Sequence, residues 1–213
     1  MNRAPAASTA PPTRDSGGQG ETGPAGDRPV PDGEYGGRTI LLVGLMGAGK
    51  STVGRRLAMR LGRPFLDADT EIEKAAGQTI PEIFEQFGEA HFRAGERRVI
   101  ARLLSVDAQV LATGGGAFMD AETRATAAER AITIWLKADL DTLVKRCARR
   151  NERPLLQQGD PRETLAGLME KRHPFYAEAD LTVESTGESH DVVVDKIISA
   201  LNASYGPNSD RTS

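Results

Sequence analysis

The sequence predicts a three-layer α/β/α domain built on a five-stranded parallel sheet, and two observations carry that prediction. From residue 39 onward, short apolar runs alternate with segments of helical periodicity, the pattern of strands joined by crossover helices. The residues with chemistry, Gly44, Asp67 and Gly114, fall where the apolar runs end. In an open parallel sheet the carboxyl ends of the strands are where ligands collect.

The strand-like runs are 39–43 (TILLV), 63–69 (RPFLDAD), 108–116 (AQVLATGGG), 132–136 (ITIWL) and 180–185 (DLTVES). The segment 50–61 repeats Val53, Leu57 and Leu61 at helical spacing. Residues 79–104 read as two helices, the first opened by Pro81 and the pair parted at Gly88. Further helices are expected at 122–131, at 139–150 with Leu140, Leu143 and Val144 inward, at 162–179 with a break at Pro174, and at 191–201. Right-handed crossovers then place helices on both faces of the sheet.

Residues 1–37 are crowded with Pro, Gly, Ala, Ser and Thr and are expected to form a disordered leader. They lack the apolar centre of a signal peptide, and Asp15, Glu21, Asp27, Asp32 and Glu34 argue against a transit peptide. The folded unit is expected over 38–203, followed by a flexible tail at 204–213. Formal net charge is −3, which disfavours nucleic acid as a partner. The apolar run 40–43 is far too short to span a membrane. A single cysteine, Cys147, excludes an intramolecular disulfide and a cysteine-based zinc site. A cytoplasmic monomer fits these features.

Gly44, Gly49, Lys50 and Ser51 match G-x-x-x-x-G-K-[ST] between a predicted strand and a predicted helix. Glycines let backbone N–H groups wrap phosphates, and the helix N-terminus adds positive charge. Lys50 is expected to reach the β- and γ-phosphates and Ser51 to ligate Mg²⁺. The nucleotide contacts expected for ATP are Gly47, Ala48, Gly49, Lys50, Ser51 and Thr52.

A phosphate loop does not name the acceptor. Asp67 and Asp69 lie two apart, so on a strand both carboxylates face one side. One suits a metal-bound water and the other an attacking hydroxyl. Asp69 is also placed to cap the helix starting at TEIEKAA. Arg93 and Glu96 stand at i, i+3, either as a surface ion pair or as an arginine held ready for a carboxylate. The glycines 114–116 make a sharp turn or a close backbone approach to a ligand. The basic stretch 145–156 suits an arginine-bearing lid better than a nucleic-acid patch, with Arg153 restrained by Pro154 and Arg146 able to stack on a base. Arg172 precedes the predicted helix break.

In order, GLMGAGKS, FLDAD, FRAGE, TGGG, RPLL and RHPFY resemble the shikimate kinase family, a small P-loop group akin to nucleoside monophosphate kinases. The resemblance covers about residues 38–202. It implies transfer of the γ-phosphoryl of ATP to the 3-hydroxyl of shikimate, with Mg²⁺. It implies a helical substrate-binding segment at about 69–98 and a mobile lid at about 149–160. By the same resemblance Asp69 is the base, Asp67 orders the Mg²⁺ shell, and Arg93 with Arg172 clamps the shikimate carboxylate. Gly114, Gly115 and Gly116 meet the ring hydroxyls, Phe84, Phe92 and Glu96 line the pocket, Arg153 is the lid arginine, and Arg146 faces adenine. Opposite Arg146 no proline stands in 184–191, leaving His190 or the backbone of 185–187 for that face. The alternatives are a related small-metabolite kinase of the gluconate kinase type and a nucleotide-binding module without catalysis.

Overall fold

The computed structural model describes residues 35, 37–106, 108–148 and 160–206. Five parallel strands run in the order β2-β3-β1-β4-β5. They are β1 (Thr39–Val43), β2 (Phe65–Asp67), β3 (Val110–Ala112), β4 (Ala131–Lys137) and β5 (Leu181–Glu184). The central β1 pairs with β3 on one side and β4 on the other, and each of its residues is buried. Burial on both faces explains why TILLV is a continuous apolar run rather than an alternating one.

Helix α1 (Lys50–Leu61) follows β1 and leads toward edge strand β2. Every later connection in the sheet steps the other way, from β2 to β3, from β3 to β4 and from β4 to β5. Right-handed crossovers therefore put α1 on one face and α2 (Ala68–Ala76), α3 (Ile80–Leu104), α4 (Ala121–Arg130), α5 (Leu140–Ala148) and α6 (Pro161–Tyr176) on the other. The last helix, α7 (His190–Tyr205), packs on α1, and α3 packs on α4. The loops after the neighbouring strands β1 and β3 thus leave to opposite faces, which opens a crevice between them. Gly44 follows β1 and Gly114 follows β3, so both glycine-bearing loops border that crevice.

Four expectations change. The second strand ends at Asp67 rather than 69, and Asp69 lies in the first turn of α2. Asp67 is the cap: its carboxylate accepts the Asp69 N–H at 3.2 Å. The chain turns helical between them, so strand spacing does not relate the two carboxylates. The expected parting at Gly88 holds: Ile80–Leu104 is two helices joined across a kink there, at φ 77°, ψ 173°. Its start is fixed by a capping box between Thr79 and Glu82. Pro174 does not break α6, which runs through it to Tyr176. A proline this near the end forfeits one hydrogen bond, and Ala177 N–H to His173 O at 2.9 Å closes the final turn.

The domain borders also move outward. Helix α7 continues to Tyr205, beyond the expected limit at 203. Tyr35, assigned to the leader, is 3% exposed. Its hydroxyl donates to Asn202 Oδ1 at 2.6 Å, and the Arg63 guanidinium lies 5.7 Å from its ring centre. One aromatic residue therefore ties the start of the domain to its last helix. Tyr35→Ala is expected to lower stability by about 3 kcal/mol while leaving turnover intact. Thermal melting beside a turnover assay checks this, and an unchanged melting temperature refutes it.

Candidate active site

The loop from Gly44 to Gly49 joins β1 to α1 in a path that side chains would obstruct. A methyl group on Gly44 would lie 2.6 Å from Leu136 O, and one on Gly47 would lie 2.8 Å from Cys147 Sγ. Both glycines have positive φ, 137° and 83°, as does Gly49 at 99°. Lys50 Nζ donates to Gly44 O at 2.7 Å and to Leu45 O at 3.0 Å, so the ammonium lies inside the curl of the loop. Ser51 Oγ donates to Asp67 Oδ2 at 2.7 Å, which joins the expected metal pair. Ala48 is buried and Thr52 lies in the first turn of α1.

Arg146 reaches this loop from behind. Its Nη1 donates to Ser185 Oγ at 3.2 Å and toward Ala48 O at 3.3 Å, and Ser185 Oγ donates to Ala48 O at 3.0 Å. Arg146 Nη1 and His190 Cδ2 are both 3.8 Å from where a methyl on Gly49 would stand. Arg146 and His190 therefore both border Gly49. Burial, and then the charges of Arg146 and Arg56, push the His190 pKa below the ordinary histidine value.

Across the crevice the glycines 114–116 act as a hub. Gly114 faces two carboxylates, since a methyl there would be 2.7 Å from Asp69 Oδ1 and 3.1 Å from Glu96 Oε1. Gly116 is covered by Arg93, whose guanidinium atoms would be 2.6 to 2.8 Å from such a methyl. Gly115 touches both halves: its methyl would stand 3.4 Å from Met46 N in the phosphate loop and 3.4 Å from Arg172 Nη1. Arg172 Nη1 donates to Gly115 O at 2.9 Å. A cavity of about 290 Å³ opens here, lined by Arg93, Glu96, Gly116 and Arg172 together with Met119 and Asp120.

Arg93 is gripped on both edges. Its Nη1 donates to Glu96 Oε2 at 2.7 Å, and its Nε and Nη2 donate to Glu89 Oε1 at 3.3 and 3.2 Å. Glu96 is 3% exposed, so the i, i+3 pair is no surface ion pair. Burial pushes the Glu96 carboxyl above the ordinary range, Arg93 draws it back, and Asp69 adds to the upward push. Glu96 Oε1 is buried and accepts no hydrogen bond among the described residues. An orphaned acceptor at a cavity wall is costly unless a ligand or water donor meets it.

Of the expected pocket residues, Glu96 lines this cavity and neither Phe84 nor Phe92 does; Phe92 lies elsewhere. It packs with Ile72 and Ile83 in a small core of its own and carries the Arg93 guanidinium 5.0 Å above its ring. Phe84, 37% exposed, packs against Phe92 with ring centres 4.6 Å apart and planes tilted by 36°. Arg153 and nearly all of the expected lid lie outside the described residues. Three side chains escaped the sequence reading: Glu89, Ser185, which was expected to act through its backbone, and Tyr176. Only Tyr176 had a signal, four residues after Arg172, and reading Pro174 as a helix end hid it.

Gly116→Ala is expected to preserve the fold, because Gly116 has φ −100° and an alanine suffers no backbone strain there. The methyl would instead displace the Arg93 guanidinium. Acceptor KM should rise roughly tenfold or more, the effect of weakening one charge-assisted contact. Steady-state kinetics decide, and an unchanged acceptor KM refutes the contact.

Among the described residues no helix is long and apolar enough to cross a membrane. The family model for shikimate kinase matches residues 46–202. The chain is 60% identical over 168 residues to the shikimate kinase of Bradyrhizobium diazoefficiens, covering 79% of this chain and 81% of that one. It is 58% identical over 166 residues to the shikimate kinase of Rhodopseudomonas palustris, covering 78% and 82%. Among solved structures, a shikimate kinase from Acinetobacter baumannii in complex with shikimate superposes with TM-score 0.76 at 43% identity, over 79% of this chain and 95% of that chain. A gluconokinase from Sinorhizobium meliloti superposes at TM-score 0.51 with 17% identity, a likeness of fold alone. The gluconate-kinase alternative thus shares the architecture and not the sequence, and the chain belongs to the shikimate kinase family.

Proposed function

We propose that the crevice between β1 and β3 holds the two substrates of the family reaction, ATP-dependent phosphorylation of shikimate, with the phosphates on the 44–52 loop and shikimate on the glycine hub. One observation carries this placement: Gly115 lies in contact range of both the phosphate loop and Arg172. The acceptor site is therefore next to the donor site rather than merely on the same domain.

The residue chemistry follows from shikimate itself, which offers one carboxylate and three hydroxyls. Arg93 and Arg172 supply the cationic forks suited to the carboxylate. Glu96 fixes Arg93 from below, so the arginine meets its ligand with little side-chain entropy left to lose. Asp69 and the 114–116 backbone receive the hydroxyls, and Asp69 takes the proton of the attacking 3-hydroxyl at a carboxylate oxygen. Lys50 neutralises charge on the phosphoryl oxygens, and the positive-φ glycines turn loop N–H groups toward them.

Ser51 and Asp67 offer hard oxygen donors at the mouth of the same loop, a set that suits Mg²⁺. Mg²⁺ keeps several waters and needs few protein ligands. Bound there, the ion would offset charge on the phosphate oxygens. Arg146 braces the loop and, with His190, offers a face for the adenine ring. A cytoplasmic monomer agrees with a pathway enzyme acting on small soluble metabolites.

A coupled ADP-release assay tests the assignment with shikimate, gluconate, nucleoside monophosphates or no acceptor. Release that depends on shikimate alone is the expected result. Release with gluconate at equal efficiency overturns the acceptor assignment, and release with none of them overturns the catalytic one.

A further inference from the structure

The hub carries one buried group that the phosphoryl transfer does not use. Tyr176 is fully buried, and burial pushes its phenol pKa up to about 12, so it is a neutral donor at every working pH. Its hydroxyl donates to Gly115 O, the same oxygen that accepts from Arg172 Nη1. Both lone pairs of one carbonyl are thus taken by two side chains one helical turn apart on α6. The ring has no freedom to turn away. Trp135 lies 5.9 Å from it, tilted by 35°, and packs edge-on against His173 at 4.9 Å. Trp135 Cδ1 in turn would be 3.4 Å from a methyl on Gly44, at the start of the phosphate loop.

We propose that Tyr176 is a positioning residue for the acceptor: its hydroxyl and Arg172 together clamp the Gly115 carbonyl, which sets the pose of Arg172 and of the Gly115–Gly116 peptide toward shikimate. This rests on the placement of shikimate at the hub. The peptide is planar and trans, so a carbonyl held toward α6 forces the Gly116 N–H to point away from α6. Without the phenol, Arg172 is the one side-chain donor to this part-buried carbonyl left among the described residues. The arginine is then drawn further onto the carbonyl and away from its ligand, and the peptide plane is free to rotate. The hydroxyl acts on shikimate through these two groups and touches no phosphate. Its loss should therefore appear in acceptor binding and not in nucleotide binding.

Tyr176→Phe keeps the ring between Trp135 and His173 and removes only the donor. The expected result is a rise of roughly tenfold in shikimate KM, the scale of one hydrogen bond lost at a buried acceptor, with ATP KM and kcat within about twofold. Calorimetric titration of shikimate should show the same loss in Kd. An unchanged shikimate KM, or equal changes in shikimate and ATP KM, overturns the proposal and leaves Tyr176 as packing. Wild-type turnover with shikimate is the control: its absence would sink the acceptor assignment itself. A second measurement needs no variant. In protein carrying ¹³C at tyrosine Cζ, shikimate should shift the Tyr176 resonance and ATP alone should not. A resonance indifferent to shikimate overturns the proposal.

Discussion

Asp69→Asn should fold, bind ATP as before, and lose about 10²–10³ of turnover, the scale expected when a general base is removed. The substitution is nearly isosteric. An amide keeps one oxygen facing Gly114, where the carboxylate oxygen now lies within 2.7 Å of a built methyl. It cannot accept a proton. The Asp67 cap accepts from the residue-69 backbone N–H, which the change leaves in place. Secondary structure at the head of α2 should survive for that reason. Equilibrium titration with ATP beside steady-state turnover separates the effects. A kcat within threefold of the parent would remove Asp69 from the base role. A joint loss of ATP affinity would place its action on the phosphate side.

Arg93→Ala should raise shikimate KM by about 10²–10³, corresponding to about 3–4 kcal/mol for a buried charge-assisted pair, while ATP KM stays near its parent value. Part of that cost falls on Glu96. The carboxylate is 3% exposed, and Arg93 is its one direct hydrogen-bond donor among the described residues. Without the arginine, burial and the neighbouring Asp69 charge both push the Glu96 carboxyl further upward. The variant should then hold a neutral Glu96 over a wider pH range than the parent. Adding Glu96→Gln to Arg93→Ala should therefore cost little more, because the carboxylate no longer has an arginine to hold. Kinetics on both single variants and the double variant measure this coupling. Additive losses would show that Glu96 serves the acceptor independently of Arg93.

The phosphate loop and its helix were legible because their signals are local. Gly44, Gly49, Lys50 and Ser51 are close in sequence, and the positive φ values follow from glycine alone. The strand cores were legible because burial on both faces leaves unbroken apolar runs. Asp69 was found, but its geometry was misjudged: a three-residue strand gives too little pattern to mark where it ends, and either Asp is a competent cap. Tyr176 was missed because a helix that tolerates Pro174 looks, in sequence, like a helix that stops there. Tyr35 was missed because one aromatic residue in a Pro- and Gly-rich stretch carries no periodicity, and its partner Asn202 is 167 residues away.

The sequence alone determined the phosphate-loop motif, the fold class and the inventory of groups we assign to the acceptor. The tertiary structure decided which of those groups meet. The turn at 114–116 joins Asp69 and Glu96 at one glycine, Arg93 at another, and Arg172 with Tyr176 at the carbonyl between them. These contacts link residues far apart in the chain, through a crevice that exists only because the loops after β1 and β3 leave the sheet on opposite faces. No local pattern encodes that meeting. It follows from strand order and the handedness of the crossovers, which is why the lysine loop could be read from eight residues and the acceptor site needed the whole sheet.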